Sequence, residues 1–166
     1  KNDIEFGNFI DETFPKLVAY APYINSVRWM LIRFAIAGHY FKTKNYNAAL
    51  TIINELIDAK DIELRKDIQA HTRMMYLILH FELKNTLILE SITRSVKRYL
   101  QQNENYFVTE RVFIEHFNKL IYSTNSAEAD KIINELKVEV VEIFESNINE
   151  KIAFTTMPLS HWLDLY

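Results

Sequence analysis

The same pattern of residues recurs every forty positions along this chain. Asn45, Asn85 and Asn125 each lie between two stretches with helical apolar spacing. A lysine directly precedes each of the first two asparagines. The string IINEL occurs at residues 52–56 and again at 132–136, two periods later. Such repeats are typical of arrays of helix–turn–helix units, because each unit buries its apolar face only against a neighbour. The spacing predicts a helical repeat protein with the three asparagines at equivalent turns.

The composition excludes several other fold classes. Only two glycines and three prolines occur among 166 residues, whereas a sheet protein needs turn residues about every eight to twelve positions. Hydrophobic residues make up 49% of the chain, which is enough for a continuous core. The absence of cysteine excludes disulfides, thiolate metal sites and cysteine nucleophiles. We predict an all-α fold, an α–α superhelix or short solenoid of three helical hairpins with flanking helices.

Helical apolar spacing covers most of the chain. In chain order, the predicted helices are at residues 4–20, 25–43, 47–59, 62–84, 87–102, 107–123, 127–147 and 158–165. The second to seventh of these form three successive hairpins, each with one repeated asparagine in its turn. Asparagine tolerates the left-handed backbone conformation that ends many helices, so we expect that conformation at these residues. Pro15 lacks a backbone donor and is expected to bend or break the first helix.

Nothing in the sequence marks a boundary between domains. No glycine- or serine-rich linker occurs, so residues 1–166 are predicted to form a single domain. Because the chain starts with Lys1 rather than methionine, we expect it to be a fragment of a longer protein. The most apolar run, residues 29–41, is short and contains Arg33, which is typical of a packed helix rather than a membrane span. We expect a cytoplasmic protein.

The first hairpin, AIAGHYFKTKNYNAALTIINEL, resembles the tetratricopeptide repeat. The family pattern, W-x2-L-G-x2-Y followed by A-x3-F, aligns with Arg33, Ile36, Ala37, Tyr40, Ala49 and Ile53. Arg33 stands where the family has tryptophan, and the period is forty residues instead of about thirty-four. The match is best for residues 33–57. From this alignment we expect Ala49 and Ala129, which share one register, to be buried at close contacts between helices.

The tetratricopeptide resemblance implies that the first helix of each hairpin lines a concave groove. By register, the groove positions are Phe34, Gly38, Phe41, Lys42, His71, Met74, Ile78, Phe81, Glu82, Arg111, Ile114, Asn118, Ile121 and Tyr122. This set is unusually apolar, and a large exposed apolar patch normally indicates a partner or a covering segment. Two alternatives follow. Either terminal helices of the chain fill the groove, in particular residues 4–20 over Phe41 and Phe81, or a protein partner occupies it.

A second resemblance covers residues 67–85 and 91–100 and the C-terminal SHWLDLY. These stretches are similar to the C-terminal helical region of uncharacterised Bacteroidetes repeat proteins, which are bacterial. This similarity implies that the chain is the C-terminal part of a longer protein, and it implies no particular activity.

No motif of catalytic or cofactor chemistry is visible. Two isolated glycines make neither a phosphate-binding loop nor a nucleophile elbow, and the five histidines lack metal-ligand spacing. A stripe of carboxylates has the spacing of a solvated helix face: Glu135, Glu139, Glu142 and Glu145. Three basic residues lie on one helix turn and either pair with nearby acidic residues or bind an acidic partner: Arg94, Lys97 and Arg98. Because this group is not repeated with aromatics between copies, RNA binding is not expected.

We therefore expect a protein without enzymatic activity, cofactor, metal site, nucleic-acid partner or membrane partner. The tetratricopeptide resemblance implies a protein–protein interaction scaffold that binds a helix or peptide in its groove, without specifying the partner or the oligomeric state. The alternatives are a structural spacer or cap of a larger repeat protein, and a regulatory domain whose curvature responds to a ligand. Arg33 and Arg73 share a register, and at least one is expected to pair between helices, because an unpaired buried charge costs on the order of several kcal/mol.

Overall fold

The computed structural model describes residues 2–58, 65–102, 107–154 and 159–166. Within these ranges every regular element is a helix, and consecutive helices pack against each other in an all-α superhelix. In chain order the elements are α1 (Asn2–Tyr20), a short 3-10 helix (Ala21–Tyr23), α2 (Ser26–Lys42), α3 (Tyr46–Asp58), α4 (Lys66–Glu82), α5 (Thr86–Gln101), α6 (Val108–Leu120), α7 (Ser126–Ser146), α8 (Ile148–Phe154) and α9 (Leu159–Leu163). The predicted all-α fold class is confirmed.

The three predicted hairpins correspond to α2 with α3, α4 with α5, and α6 with α7. The predicted helix end at 59 and the starts at 62 and 158 lie outside the described residues. The short helix α8 was not predicted. Pro15 was expected to bend or break the first helix, and α1 continues through it, so the helix is not broken at this residue. Packing against α2 stabilises α1 around the proline, because Ile10 is buried and the Phe14 ring stacks on Trp29 at 6.0 Å.

The turns after α2 and α4 have the same hydrogen bonds, forty residues apart. In each turn the asparagine N–H donates to the carbonyl five residues earlier, at 2.8 Å for Asn45 and 3.0 Å for Asn85. The preceding lysine N–H donates to the carbonyl three residues earlier, at 3.0 Å in both turns. Lys44 and Lys84 have φ angles of 60° and 59°. Both turns are therefore Schellman motifs with a left-handed residue at their centre.

The asparagines lie at the starts of the following helices. The expected left-handed conformation at these residues is wrong, because the preceding lysines adopt it in the first two turns. The Asn45 side chain accepts a hydrogen bond from the Ala48 N–H at 3.4 Å, and that of Asn125 accepts one from the Glu128 N–H at 2.9 Å. Asn85 directly precedes α5 without such a bond. All three asparagines occupy turns between helices, as their spacing predicts, and two of them cap a helix.

The predicted close contact is confirmed at one of its two positions. Ala49 is completely buried, and Leu89 at the same register is buried as well. Ala129 is only half-buried, so the prediction for this residue is wrong. The turn before α7, residues 121–125, is two residues longer than the turn before α3, residues 43–45. We attribute the exposure of Ala129 to this longer turn, which separates the first turn of α7 from α6.

The two arginines of the repeat register are both paired. Arg33 of α2 forms an ion pair with Glu55 of α3. The Arg73 guanidinium of α4 lies 3.8 Å from the ring centroid of Tyr99 on α5, and it also hydrogen-bonds the Gln69 carbonyl at 3.2 Å. The prediction that at least one arginine pairs between neighbouring helices is confirmed.

Candidate functional site

Five of the predicted groove residues lie in the hydrophobic core. Phe34, Phe41, Met74, Ile78 and Ile114 are buried, and Phe41 retains only 1% exposure. These side chains therefore do not form an open surface. The first helices of the hairpins pack between neighbouring helices, so the apolar positions of α2 and α4 face the spaces between helices. Their apolar character is accounted for by packing.

Four other predicted groove residues are exposed to solvent. Lys42 ends α2, while Arg111 and Asn118 lie on α6 and Tyr122 lies in the turn after it. Asn118 and Tyr122 follow Arg111 by seven and eleven positions. This spacing places the three side chains along one side of α6 and the turn after it. This side faces away from the core.

Three further predicted groove residues, His71, Phe81 and Glu82, contact the C-terminal tail, which we define as α8, α9 and residues 164–166. The His71 ring lies 4.9 Å from the Phe154 ring, measured between centroids. The Phe81 ring lies 6.3 Å from the Trp162 ring. One carboxylate oxygen of Glu82 accepts hydrogen bonds from the Trp162 indole N–H at 2.7 Å and from the Tyr166 hydroxyl at 2.9 Å.

The covering of Phe81 therefore comes from the C-terminus. At His71, Phe81 and Glu82 a terminal segment of the chain, and not a partner, makes the contacts. The expectation that residues 4–20 do so is wrong at Phe81, where α9 contributes the covering ring. We call the surface of α4 and α6 beneath the C-terminal tail the tail-binding face.

Trp162 is the central side chain of α9 on this face. It is completely buried, and its ring centroid lies 6.4 Å from each of the Phe113 and Phe117 rings of α6. Aromatic pairs at such distances contribute about 0.5–1.5 kcal/mol beyond the burial of their area. Because the indole N–H is also bonded to Glu82, the site holds both the apolar and the polar part of tryptophan.

Glu150 attaches α8 to the first turn of α6. One carboxylate oxygen accepts the Val108 N–H at 2.8 Å, and the other accepts the Thr109 N–H at 3.2 Å and the Thr109 hydroxyl at 2.8 Å. The first N–H groups of a helix have no partner within the helix, and the helix dipole favours a negative charge there. Glu150 is only 3% exposed, and these three donors stabilise its buried carboxylate.

A second buried carboxyl group lies at the start of α6. Glu110 is only 2% exposed and accepts the Phe107 N–H at 3.2 Å. Burial, with a smaller contribution from the charge of Glu150, raises the pKa of Glu110 to about 7. Two neighbouring buried carboxylates favour protonation of one of them. The Phe107 ring, 6.2 Å from Phe154, completes the contact between α6 and α8.

His71 is the most unusual polar residue of the tail-binding face. It is 2% exposed, and neither ring nitrogen has a hydrogen-bond partner. Burial lowers the pKa of His71 to about 4. By contrast, the buried His116 ring contacts the Val112 carbonyl at 3.0 Å and the Glu139 carboxylate at 3.3 Å. His71 is therefore neutral at pH 7 and behaves as an aromatic contact for Phe154.

The charged surface groups are paired in part. Of the predicted basic group, Arg94 lies 3.6 Å from Glu90, one turn earlier on α5.

In the described ranges no cluster of three histidine or carboxylate side chains is arranged to hold a metal ion. Among those same residues, no helix has the length and apolar character needed to cross a bilayer.

Sequence reasoning missed the tail side of this site. Glu150 and Phe154 are four residues apart and share one face of α8, and Trp162 and Tyr166 have the same spacing in the sequence. This spacing was the available signal. It does not specify which surface the two pairs contact, and Glu110 has no distinguishing sequence feature.

Comparison with known proteins gives no relative for this chain. No family model matches it, and neither a curated protein nor a solved structure does. The function has to be inferred from the residues of the chain itself.

Proposed function

We propose that this chain is a non-catalytic helical-repeat domain that binds a helix or peptide of another protein on its tail-binding face. The observation that supports this most is the manner in which α8 and α9 are held there. A buried carboxylate accepts hydrogen bonds at a helix N-terminus, and a buried tryptophan has its indole N–H bonded. Anchoring by a few buried aromatic and charged side chains is characteristic of helix-in-groove recognition.

The repeat register supports the same proposal. His71, Phe81 and Glu82 are positions at which the tetratricopeptide resemblance implies ligand contacts, and each contacts the C-terminal tail. In such arrays the first helices of successive hairpins present one surface. On this proposal the tail occupies the surface that a partner segment uses.

An enzymatic role has weaker support. A pair of buried carboxyl groups, one with a pKa near 7, resembles the arrangement of a general acid and base. Glu110 and Glu150 are, however, 2% and 3% exposed, and Glu150 accepts three hydrogen bonds from α6. A substrate has no access to either carboxylate in this arrangement.

One observation favours a structural cap as a second candidate function. The tail contributes several fully buried side chains to the hydrophobic core: Phe154, Leu159, Trp162 and Leu163. A capping segment of a repeat array does the same, because it covers the last apolar surface. The two functions differ in whether a foreign segment binds where the tail lies.

Selection from a random helical-peptide library, followed by NMR mapping on the isotope-labelled chain, tests the proposal. Selected peptides are expected to bind at a one-to-one ratio and to shift the resonances of His71, Phe81 and Glu82. Glu82→Gln should weaken binding, whereas Tyr122→Ser, on the outer side of α6, should not. The opposite response of these two variants would assign the partner site to the exposed side of α6. Failure to select any binding peptide would favour the structural cap.

A further inference from the structure

We propose that the C-terminal tail is an intramolecular ligand, and that the partner segment which replaces it carries a carboxylate, an aromatic residue four positions later, and a tryptophan beyond these. This inference rests on the proposed function, because it names the chemistry of a ligand for the same face. The pattern in the chain itself is Glu150, Phe154 and Trp162.

The N-terminus of α6 defines the first part of this pattern. It offers two backbone N–H groups and the Thr109 hydroxyl, all of which Glu150 accepts within 3.2 Å. Three converging donors and a helix dipole favour a carboxylate over a neutral amide, which brings one acceptor oxygen and no charge. A ligand therefore needs an acidic residue at this position.

Four residues later the face requires an aromatic side chain. Phe154 contacts the rings of His71, Phe107 and Phe144 with centroid distances of 4.9, 6.2 and 6.2 Å. These rings belong to α4, to the residue before α6, and to α7. Residues four positions apart on a helix share a face, so a ligand helix presents its carboxylate and its aromatic ring together.

Glu82 fixes the direction in which a ligand lies. It accepts the Trp162 indole N–H at 2.7 Å, within a group of rings formed by Phe81, Phe113 and Phe117. Phenylalanine here would fill the space but leave the Glu82 carboxylate without this donor, and an acidic residue would meet a like charge. The acidic end of a ligand is thus selected at α6 and its tryptophan end at α4.

The tail is suited to exchange because its helices depend on the face for their order. Helices α8 and α9 have seven and five residues, well below the roughly twelve to fifteen at which isolated helices become stable. Helix α7 ends at Ser146, and Asn147 has an extended backbone that separates α7 from α8. The outer side of α8 stays in solvent, with Ile148 63% and Ile152 62% exposed. Loss of the contacts made by Glu150 and Trp162 should release the segment without altering α7.

The test is a fluorescence anisotropy titration of a labelled peptide with the sequence of residues 147–166 against the full chain. The tethered tail competes at an effective concentration on the order of millimolar, so the unaltered chain should bind the peptide weakly. Glu150→Gln weakens the chain's own tail, and this variant should bind the peptide at least tenfold more tightly. The same peptide with glutamine in place of its own Glu150 should lose that gain.

Two further proteins complete the experiment. Glu142→Gln, at an exposed position of α7, is the matched control and should bind the peptide as weakly as the unaltered chain. Circular dichroism reports whether each variant is folded. Trp162→Phe, which removes the indole N–H that donates to Glu82 from the chain's own tail, replaces Glu150→Gln if the latter unfolds. Equal peptide affinity for all folded proteins, or unfolding of both tail variants, would overturn the proposal.

The result also separates this inference from the proposed function. Exchange of the peptide, with no foreign helical sequence selected on the same face, would refute the proposed function only. Binding of foreign peptides that lack the acidic–aromatic pattern, with no exchange of the tail, would refute this inference only.

Discussion

Lys44 and Lys84 adopt a backbone conformation that favours glycine. With φ near 60°, the side chain of an L-residue approaches the following carbonyl, at a cost of about 1–2 kcal/mol. The sequence therefore predicts the position of the turn through its asparagine but misidentifies the strained residue. Asparagine adopts the left-handed backbone conformation more often than lysine does, so the sequence does not mark Lys44 and Lys84 as the left-handed residues.

Replacing Lys44 with glycine should stabilise the chain. Glycine relieves the strain at φ 60° and loses part of this gain to its greater freedom in the unfolded state, leaving about 0.5–1 kcal/mol. Urea unfolding measures the difference. The control is Lys42→Gly, two residues earlier in the last turn of α2, which should be destabilising. Equal effects at both positions would contradict a strained Lys44.

His71 and Glu110 should give stability contributions of opposite pH dependence. His71 has a pKa of about 4 in the fold against an ordinary 6.5, so the unfolded chain takes up its proton first as pH falls below 6.5. About 3 kcal/mol is lost between pH 6.5 and 4. Glu110 has a pKa of about 7 against 4.5, so the folded chain holds its proton longer. About 3 kcal/mol is lost as pH rises from 4.5 to 7.

These two contributions nearly cancel between pH 4.5 and 6.5 in the unaltered chain. Each single variant should reveal the other contribution. With His71→Leu, the free energy of unfolding should fall as pH rises through this window, and with Glu110→Gln it should rise. Urea midpoints at half-unit pH steps measure both slopes. Parallel pH profiles for the two variants would show that neither group titrates in the way described.

Helix α8 shows why an element can escape sequence analysis. Its apolar residues Ile148 and Ile152 are exposed, whereas its acidic residue Glu150 is buried. Apolar periodicity assumes that isoleucine faces the core and glutamate faces water, so it assigns the wrong side of α8 to the interior. The polar donors that hold Glu150 belong to α6, about forty residues earlier, and no local pattern of α8 includes them.

The attachment of α8 to α6 predicts a difference between two buried threonines. Thr109→Val removes a hydroxyl that donates to the Glu150 carboxylate at 2.8 Å and should cost about 1.5–3 kcal/mol. Thr72→Val removes a hydroxyl of equal burial that donates only to the Ile68 carbonyl of its own helix. Because that carbonyl belongs to the backbone of α4 itself, the free energy of unfolding should fall by about 1 kcal/mol or less. Thermal unfolding compares the two variants, and equal losses would refute the attachment.

Packing between the hairpin helices gives a second comparison at this scale. Ala49 is completely buried, so Ala49→Leu should overpack the contact of α2 with α3 and cost about 1–3 kcal/mol. Ala129 occupies the same repeat register but is half-buried, and Ala129→Leu should cost less than about 1 kcal/mol. Denaturant unfolding of both variants decides whether burial or register controls the loss. A larger loss at Ala129 would contradict the observed packing.

In the whole molecule, the repeated hairpins can be predicted from the sequence, whereas the position of the C-terminal tail cannot. The forty-residue register predicts the hairpins and the turns at Asn45, Asn85 and Asn125 because these are local and repeated. The predicted groove positions separate into different environments. His71, Phe81 and Glu82 contact the tail, whereas Phe34, Phe41, Met74 and Ile78 are buried between helices. Register alone does not distinguish a surface of the array from a space between its helices. The tail occurs once, so no repeat predicts its place.

Native-state hydrogen exchange tests most directly whether the C-terminal tail can leave the tail-binding face while the rest of the chain stays folded. The indole N–H of Trp162 reports on the tail, and the backbone N–H groups of buried residues in the middle of α4, such as Leu77 and Ile78, report on the array. A tail held mainly by Glu150 and Trp162 should open at a lower free energy than the array unfolds. Glu150→Gln should lower the free energy of tail opening further while leaving exchange in α4 unchanged. Exchange of Trp162 and the α4 amides at one common free energy, in both proteins, would contradict this account.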